Sequence, residues 1–148
     1  MSEEENNEIL KFISEFDDFK FSVYNGSVDE SQAYYMYIIV NSSLKMGKGK
    51  IAAQVGHGVQ KMTEYCLEHH KELWTKYVNS GIPKIVLKTS QDQLLEVINK
   101  TENIFKSYVI DEGRTQIAEN SLTAVSFIPL LKKDAPDIFK DKKILKLL

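Results

Sequence analysis

Two short polar stretches of this chain carry the residue types that could do chemistry. The first holds Lys45, Lys48 and Lys50 with Gly47 and Gly49 among them, between an apolar strand-like run and a helical pattern. Glycines let a ligand approach the backbone, and the start of a helix offers N–H groups that have no partner within the helix. Basic side chains beside such an end favour an anion. This stretch therefore predicts a phosphate-binding site, for a nucleotide or for a nucleic acid.

The helix that follows, from about Lys48 to Cys66, has a polar and an apolar side. On the polar side Lys50, Gln54, His57 and Lys61 recur at spacings of three and four residues, which aligns them on one face. An ordinary solvent-facing side would produce the same pattern. The apolar side consists of Ile51, Val55, Val59, Met62 and Cys66. Because Cys66 lies on this side, we predict a core residue rather than a nucleophile.

The second polar stretch lies between two strand-like runs, from Phe105 to Ile110 and from Leu122 to Ile128. It contains a carboxylate, a guanidinium, a hydroxyl and an amide, contributed by Asp111, Arg114, Thr115 and Gln116. The connection 111–121 is long for a simple hairpin, and long connections often carry function. The alternative interpretation is a turn closed by Asp and Gly with an incidental surface ion pair.

Several common nucleotide and metal motifs do not fit the sequence. A P-loop needs G-x-x-x-x-G-K-[ST], but Gly49-Lys50 is followed by Ile51, and no glycine stands five positions before Gly49. The dinucleotide pattern G-x-G-x-x-G lacks its third glycine after Gly47 and Gly49. The sequence has no H-E-x-x-H motif and no Cys/His cluster, so we predict no catalytic metal and no cofactor.

Charge is distributed unevenly along the chain. Residues 1–33 hold nine acidic residues and two lysines, whereas residues 34–148 hold twelve acidic and seventeen basic ones. A basic domain suits a nucleic-acid partner. We therefore divide the chain into an acidic extension, 1–33, partly helical or disordered, and a domain, 34–148. No apolar run approaches the roughly 20 residues of a membrane span, and the acidic start differs from a signal or transit peptide. We expect a cytoplasmic protein without membrane contact.

Alternating strand and helix signals predict an α/β layer fold with a mixed sheet. The predicted strands are about Tyr35–Val40, Lys84–Lys88, Phe105–Ile110 and Leu122–Ile128. The predicted helices are about Lys48–Cys66, Lys71–Val78, one that starts with a capping box at Ser90, and a short last one from Asp134 to Lys140. If the first and third strands run in the same direction, both polar stretches meet at one edge of the sheet.

Several segments, in order, closely resemble the archaeal and eukaryotic type of peptidyl-tRNA hydrolase. They are Leu44–Lys50 with Ala52-Ala53-Gln54 and His57, then Gly81–Val86, Asp111–Ile117 and the closing Leu145–Leu148. The likeness runs from about Tyr35 to Leu148. It implies a compact three-layer domain with a four-stranded mixed sheet and helices on both faces. It also implies hydrolysis of the ester between a peptide and the 3′ end of tRNA, with peptidyl-tRNA as the partner.

For that reaction, the candidate catalytic residues are Lys50, Asp111, Thr115 and His57. Asp111 would orient or deprotonate the attacking water, Lys50 would stabilise the oxyanion or lower a neighbouring pKa, and Thr115 would fix the water or the ribose. His57 is a candidate general base or, equally, a structural donor. The candidate substrate-binding residues are Lys45, Lys48, Gln54, Arg114 and Gln116.

The competing hypothesis is a non-catalytic protein of the same fold, either a tRNA- or RNA-binding module or a signalling adaptor. The presence of both Lys50 and Asp111 favours the enzyme. The sequence leaves a homodimer open, and it contains no motif that identifies a protein partner for the extension.

Overall fold

The computed structural model describes residues 1–18, 28–113 and 120–148. Within them, helices α1 to α4 are Glu3–Ile13, Lys48–His69, Lys71–Asn79 and Gln91–Lys100. Strands β1 to β6 are Tyr34–Asn41, Lys84–Thr89, Lys106–Asp111, Ser121–Phe127, Leu130–Leu131 and Lys146–Leu147. Short 3₁₀ helices cover Glu30–Gln32, Ser42–Leu44, Lys132–Asp134 and Asp137–Lys140. The order and type of the elements from β1 to β4 follow the prediction, and Ser90 caps the start of α4, because its hydroxyl accepts the Gln93 N–H.

The described strands form one mixed sheet in the order β3-β4-β1-β2-β6, and β5 pairs with the first two residues of β1. β1 and β2 are parallel, whereas β4 is antiparallel to both β1 and β3. β1 and β3 consequently run in the same direction, and their ends, Asn41 and Asp111, lie at the same edge of the sheet. The predicted mixed sheet is confirmed, with six strands rather than four because two strands of two residues, β5 and β6, extend it.

Helices cover both faces of the sheet, as the resemblance implied. Neighbouring residues of a strand point to opposite faces, so Met36 and Ile38 of β1 face one way while Tyr37 and Ile39 face the other. On the first face the strands pack against α2 and α3, and the buried cluster is Met36, Ile38, Met62, Cys66, Tyr77, Val109 and Ala124. On the second face they pack against α4 and the C-terminal segment, and the cluster includes Tyr37, Ile39, Leu94, Val97, Phe127, Phe139 and Leu145.

The buried side of α2 is rotated from the predicted apolar stripe. Its buried residues are Gln54, Gly58, Met62 and Cys66, at a spacing of four, while Ile51, Val55 and Val59 are half-buried. Gly58 makes this possible, because a Cβ at its position would lie 3.3 Å from the Cβ of Ser126. The Ser126 hydroxyl also donates to the Gly58 carbonyl at 3.0 Å. The glycine therefore brings α2 close to β4 and carries Gln54 into the interior.

The short last helix predicted from Asp134 to Lys140 is confirmed only over its second part: two 3₁₀ helices, Lys132–Asp134 and Asp137–Lys140, occupy this segment. They are separated at Ala135, whose φ of −63° and ψ of 135° are extended. The α conformation is disfavoured for a residue that precedes proline, and Pro136 follows. Beyond this break the chain returns to the sheet as β6, which pairs with β2 as the likeness to a C-terminal strand implied.

α1 starts at a cap in which the Ser2 hydroxyl accepts the Glu5 N–H at 3.1 Å, and the helix buries none of its residues. Its apolar side chains Ile9, Leu10, Phe12 and Ile13 are exposed. Among the helices described, none combines the length and the apolar character needed to span a membrane. The division of the chain at residue 33 stays a prediction.

Two glycines of α2 allow a matched test of its close packing on β4. Gly56→Ala places a methyl group in open space, since no atom lies within 4 Å of its Cβ position. We expect it to raise the free energy of unfolding by about 0.5–1 kcal/mol through helix propensity. Gly58→Ala gains the same propensity but presses on Ser126, so it should be less stable than Gly56→Ala. Urea unfolding measures both variants, and equal stabilities would contradict the close approach of α2.

Candidate active site

The two polar stretches meet at the edge of the sheet, where Lys50 forms an ion pair with Asp111. The Lys50 ammonium donates to Asp111 Oδ2, and the two side chains are only 12% and 11% exposed. Lys50 lies in the first turn of α2 and Asp111 ends β3. The pair therefore joins a helix start and a strand end that are distant in the sequence.

Asp111 is held on its other carboxylate oxygen by the backbone. The Gly113 N–H donates to Oδ1 at 2.6 Å. Gly113 has a φ of 78°, a left-handed conformation that glycine adopts without steric cost. On the buried side, Gln54 Nε2 lies 3.5 Å from Oδ2. The carboxylate is thus fixed in orientation from two sides.

These contacts change the acidity of the carboxyl group. The hydrogen bond from Lys50 lowers the pKa of Asp111, and the hydrogen bond from Gly113 acts in the same direction. Partial desolvation opposes them, while the electrostatic interactions with Lys50 and His57 add to the lowering of this pKa. A carboxylate with a lowered pKa is a weak base. It is therefore better suited to orienting a water molecule than to removing its proton at neutral pH.

Gln54 links the ion pair to the protein interior and is only 4% exposed. Its Oε1 accepts a hydrogen bond from the Thr123 hydroxyl at 2.7 Å. That hydroxyl also lies 3.1 Å from the Val109 carbonyl, but its single proton serves one acceptor at a time, and the shorter contact favours Gln54. Because the amide oxygen faces Thr123, the amide nitrogen faces Asp111. Thr123 therefore sets the orientation of Gln54.

Asn41, which is fully buried at the end of β1, fixes the segment that leads into α2. Its amide nitrogen donates to the Leu122 carbonyl at 2.9 Å and to Gln91 Oε1 at 3.0 Å. Its amide oxygen accepts the Ser43 N–H at 3.1 Å. These bonds fasten the loop before α2 to β4 and α4, and this loop carries the first basic residue of the polar stretch, Lys45.

Sequence reasoning did not single out Asn41 or Thr123. The signal for Asn41 was present, since an amide directly follows the apolar run Ile38-Ile39-Val40. Thr123 gave no signal, because threonine is common in strands whatever its partners. Both act through other residues and are positioning groups.

Among the remaining candidates that the structure describes, one lines a cleft beside the ion pair and two lie where the chain enters α2. His57 lines a cleft of about 390 Å³ together with Gln54, Lys61 and residues 108–112. Lys45 and Lys48 are exposed where the chain enters α2, and Lys45 adopts a left-handed φ of 50°. Arg114, Thr115 and Gln116 lie outside the described residues.

Cys66 is fully buried, as predicted, and burial raises the pKa of its thiol. A thiol of this kind is a poor nucleophile. Within residues 1–18, 28–113 and 120–148, no group of three or more His, Cys, Asp or Glu side chains is placed to hold a metal ion.

The fold and this edge define an α/β protein with a lysine–carboxylate pair beside a basic helix start. The sequence matches the family model of peptidyl-tRNA hydrolase PTH2 over residues 34–147. A peptidyl-tRNA hydrolase of Methanococcus maripaludis strain C6 is 36% identical over 115 residues, covering 76% of this chain and 99% of that protein. One of Saccharolobus solfataricus is 33% identical over 117 residues, covering 74% and 98%. The mitochondrial peptidyl-tRNA hydrolase 2 of Bos taurus is 36% identical over 103 residues, covering 68% and 58%. The chain belongs to the peptidyl-tRNA hydrolase PTH2 family.

The ion pair predicts how Asp111 titrates. Its carboxyl group should have a pKa below the ordinary aspartate value, and Lys50→Met should raise this pKa because the largest cause of the lowering is removed. The pair adds to the free energy of unfolding above the ordinary pKa. This contribution is lost as the pH falls through the lowered pKa. Carbon-13 NMR of the side-chain carboxyl measures the pKa directly.

Lys61→Met is the matched control for this titration, because it removes an exposed lysine that pairs with Glu64. It should leave the pKa of Asp111 unchanged. An Asp111 pKa that is the same in wild-type protein and in Lys50→Met would show that the pair does not form in solution.

Proposed function

We propose that the protein hydrolyses the ester bond between a peptide and the 3′ end of tRNA, so that free tRNA and free peptide are released. The observation that carries the proposal is the fixed Lys50–Asp111 pair at the edge of the sheet. Membership of the family and relatives that are named peptidyl-tRNA hydrolase support peptidyl-tRNA as the substrate.

In this reaction the ester carbonyl carbon gains the oxygen of a water molecule, and the ribose oxygen leaves with a proton. We assign the orientation of the water to the Asp111 carboxylate. The Lys50 ammonium, at the same point, stabilises the negative charge that develops on the carbonyl oxygen. Gln54 holds the carboxylate from the buried side. His57 lines the same cleft and is the candidate that accepts the proton of the water.

The predicted roles of residues 114–116, which follow Gly113, complete the proposal. Thr115 would fix the water or the ribose, and Arg114 and Gln116 would position the substrate. Lys45 and Lys48 are assigned to the tRNA phosphates, because they are exposed beside the positive end of the α2 dipole.

The domain 34–148 is proposed as the hydrolase and the acidic residues 1–33 as an extension outside the tRNA-binding surface. A cytoplasmic location stays a prediction from the sequence. A homodimer and a protein partner for the extension stay open.

The direct test is incubation with N-acetyl-aminoacyl-tRNA, followed by measurement of released free tRNA. We expect much faster cleavage of this N-blocked substrate than of free aminoacyl-tRNA, because a blocked amine mimics the peptide bond. If the folded protein binds tRNA but produces no free tRNA from this substrate, the result would favour the non-catalytic RNA-binding module instead.

The phosphate assignment has its own test in Lys48→Ala. This variant should weaken tRNA binding and flatten its dependence on salt, since one phosphate contact and its counterion release disappear. Lys100→Ala is the matched control, because Lys100 is an exposed lysine of α4 that pairs with Glu96. If the salt dependence of tRNA affinity has the same slope in the two variants, Lys48 is not part of the tRNA-binding surface.

A further inference from the structure

α2 and β3 lie side by side in opposite directions and leave a cleft between them. At one end Lys50 contacts Asp111. At the other end the Tyr65 ring stacks on the Phe105 ring, with centroids 3.9 Å apart. The helix lines the cleft with Gln54, His57 and Lys61, and the strand lines it with residues 108–112. The cleft therefore begins at the ion pair and follows β3 away from it.

β3 is the outermost strand of the sheet, and β4 is the one strand that pairs with it among the described residues. The ladder shows which backbone groups face the open edge. The Ile128 N–H donates to the Phe105 carbonyl at 3.0 Å, and Tyr108 lies three positions further along β3, opposite Val125. Hydrogen-bonded and non-hydrogen-bonded pairs alternate in an antiparallel ladder. Lys106 and Tyr108 therefore direct their N–H and C=O groups away from β4.

An open strand edge pairs with an extended peptide through backbone hydrogen bonds. We propose that β3 binds the peptide part of peptidyl-tRNA as an added parallel strand. The esterified carboxyl end lies at Asp111, and the amino end points toward Phe105. This inference rests on the proposed function. Backbone pairing does not depend on side chains, which suits an enzyme whose substrates carry peptides of any sequence.

The surroundings of the open edge of β3 favour a peptide over the nucleotides of the tRNA end. On the α4 face, this edge is flanked by the side chains of Tyr108 and Ile110, which are largely apolar and are 48% and 55% exposed. Their cross-strand partners, Val125 and Leu122, pack in the cluster of that face. The positive charge of Lys61 is partly compensated, because its ammonium lies 3.1 Å from Glu64 Oε2. The exposed lysines assigned to phosphate, Lys45 and Lys48, lie instead where the chain enters α2, beyond the ion pair.

Strand geometry determines which substrates reach Tyr108. Tyr108 precedes Asp111 by three positions, a distance of about 10 Å at about 3.3 Å per residue. A single acetylated amino acid at the ester does not span this distance, whereas a tetrapeptide does. A comparison of substrates with long and short peptides therefore distinguishes an effect on binding along β3 from an effect on the chemistry at the ion pair.

The test compares N-acetyl-tetrapeptidyl-tRNA with N-acetyl-aminoacyl-tRNA as substrates of Tyr108→Pro. Proline removes the outward N–H without removing a bond to β4, and proline is tolerated on edge strands. We expect the ratio of kcat/KM for the long substrate to that for the short one to fall about 3–10-fold, the effect of one net hydrogen bond. Tyr108→Ala is the matched control, since it keeps the N–H and loses the side chain, and its ratio should fall less.

The other possible outcomes of this comparison contradict the proposal. An unchanged ratio in Tyr108→Pro overturns the proposal. Equal losses for both substrates also overturn it and favour nucleotides in the cleft, because both substrates share the same tRNA end. If wild-type protein cleaves neither substrate, the proposed function is wrong, and the inference that depends on it is wrong as well.

A second measurement leaves the protein unaltered and so does not depend on the folding of Tyr108→Pro. Wild-type protein is given tetrapeptidyl-tRNAs that are N-methylated at one peptide bond at a time. Because alternate residues of the added strand bond to β3, methylation should lower kcat/KM about 3–10-fold at some positions and little at their neighbours. Equal effects at all positions would contradict strand pairing.

Discussion

The contact between Lys50 and Asp111 ties the start of α2 to the end of β3, and the arrangement of the site depends on it. Both side chains are almost nine-tenths removed from solvent. Charges in such surroundings are tolerated when they are paired and hydrogen-bonded. Gly113 supplies a further hydrogen bond to the carboxylate, and the Gln54 amide approaches it from the interior. Removal of either partner would leave the other charge without its main compensation.

The rest of the fold brings these two charges together. Gly58 allows α2 to lie against β4, which places the first turn of the helix beside the end of β3. Asn41 holds the segment before the helix to β4 and α4. The common direction of β1 and β3 then places both loops at one edge of the sheet, as is usual for ligand sites in α/β proteins. A small set of buried polar contacts thus positions the exposed basic surface at the start of α2 and the outer edge of β3.

Local patterns were sufficient to predict the elements from β1 to β4, because hydrophobic periodicity and caps such as Ser90 are encoded within a few residues. They also selected both halves of the ion pair, since each follows an apolar strand. The burial of Gln54 could not be predicted in this way, because its partner Thr123 is 69 positions away and is an ordinary strand residue. The strands β5 and β6 have two residues each, which is too short to show the hydrophobic alternation of a strand. The last helix was predicted without considering that Pro136 disfavours the α conformation at Ala135.

The most direct measurement of the central claim is a double-mutant cycle on the rate of N-acetyl-aminoacyl-tRNA hydrolysis, with Lys50→Ala, Asp111→Asn and the double variant. If the two residues act as one site, each single variant should lose about 10²–10⁴-fold in rate, and the double variant should be little slower than the slower single one. Losses that multiply in the double variant would show two independent groups and would contradict the account.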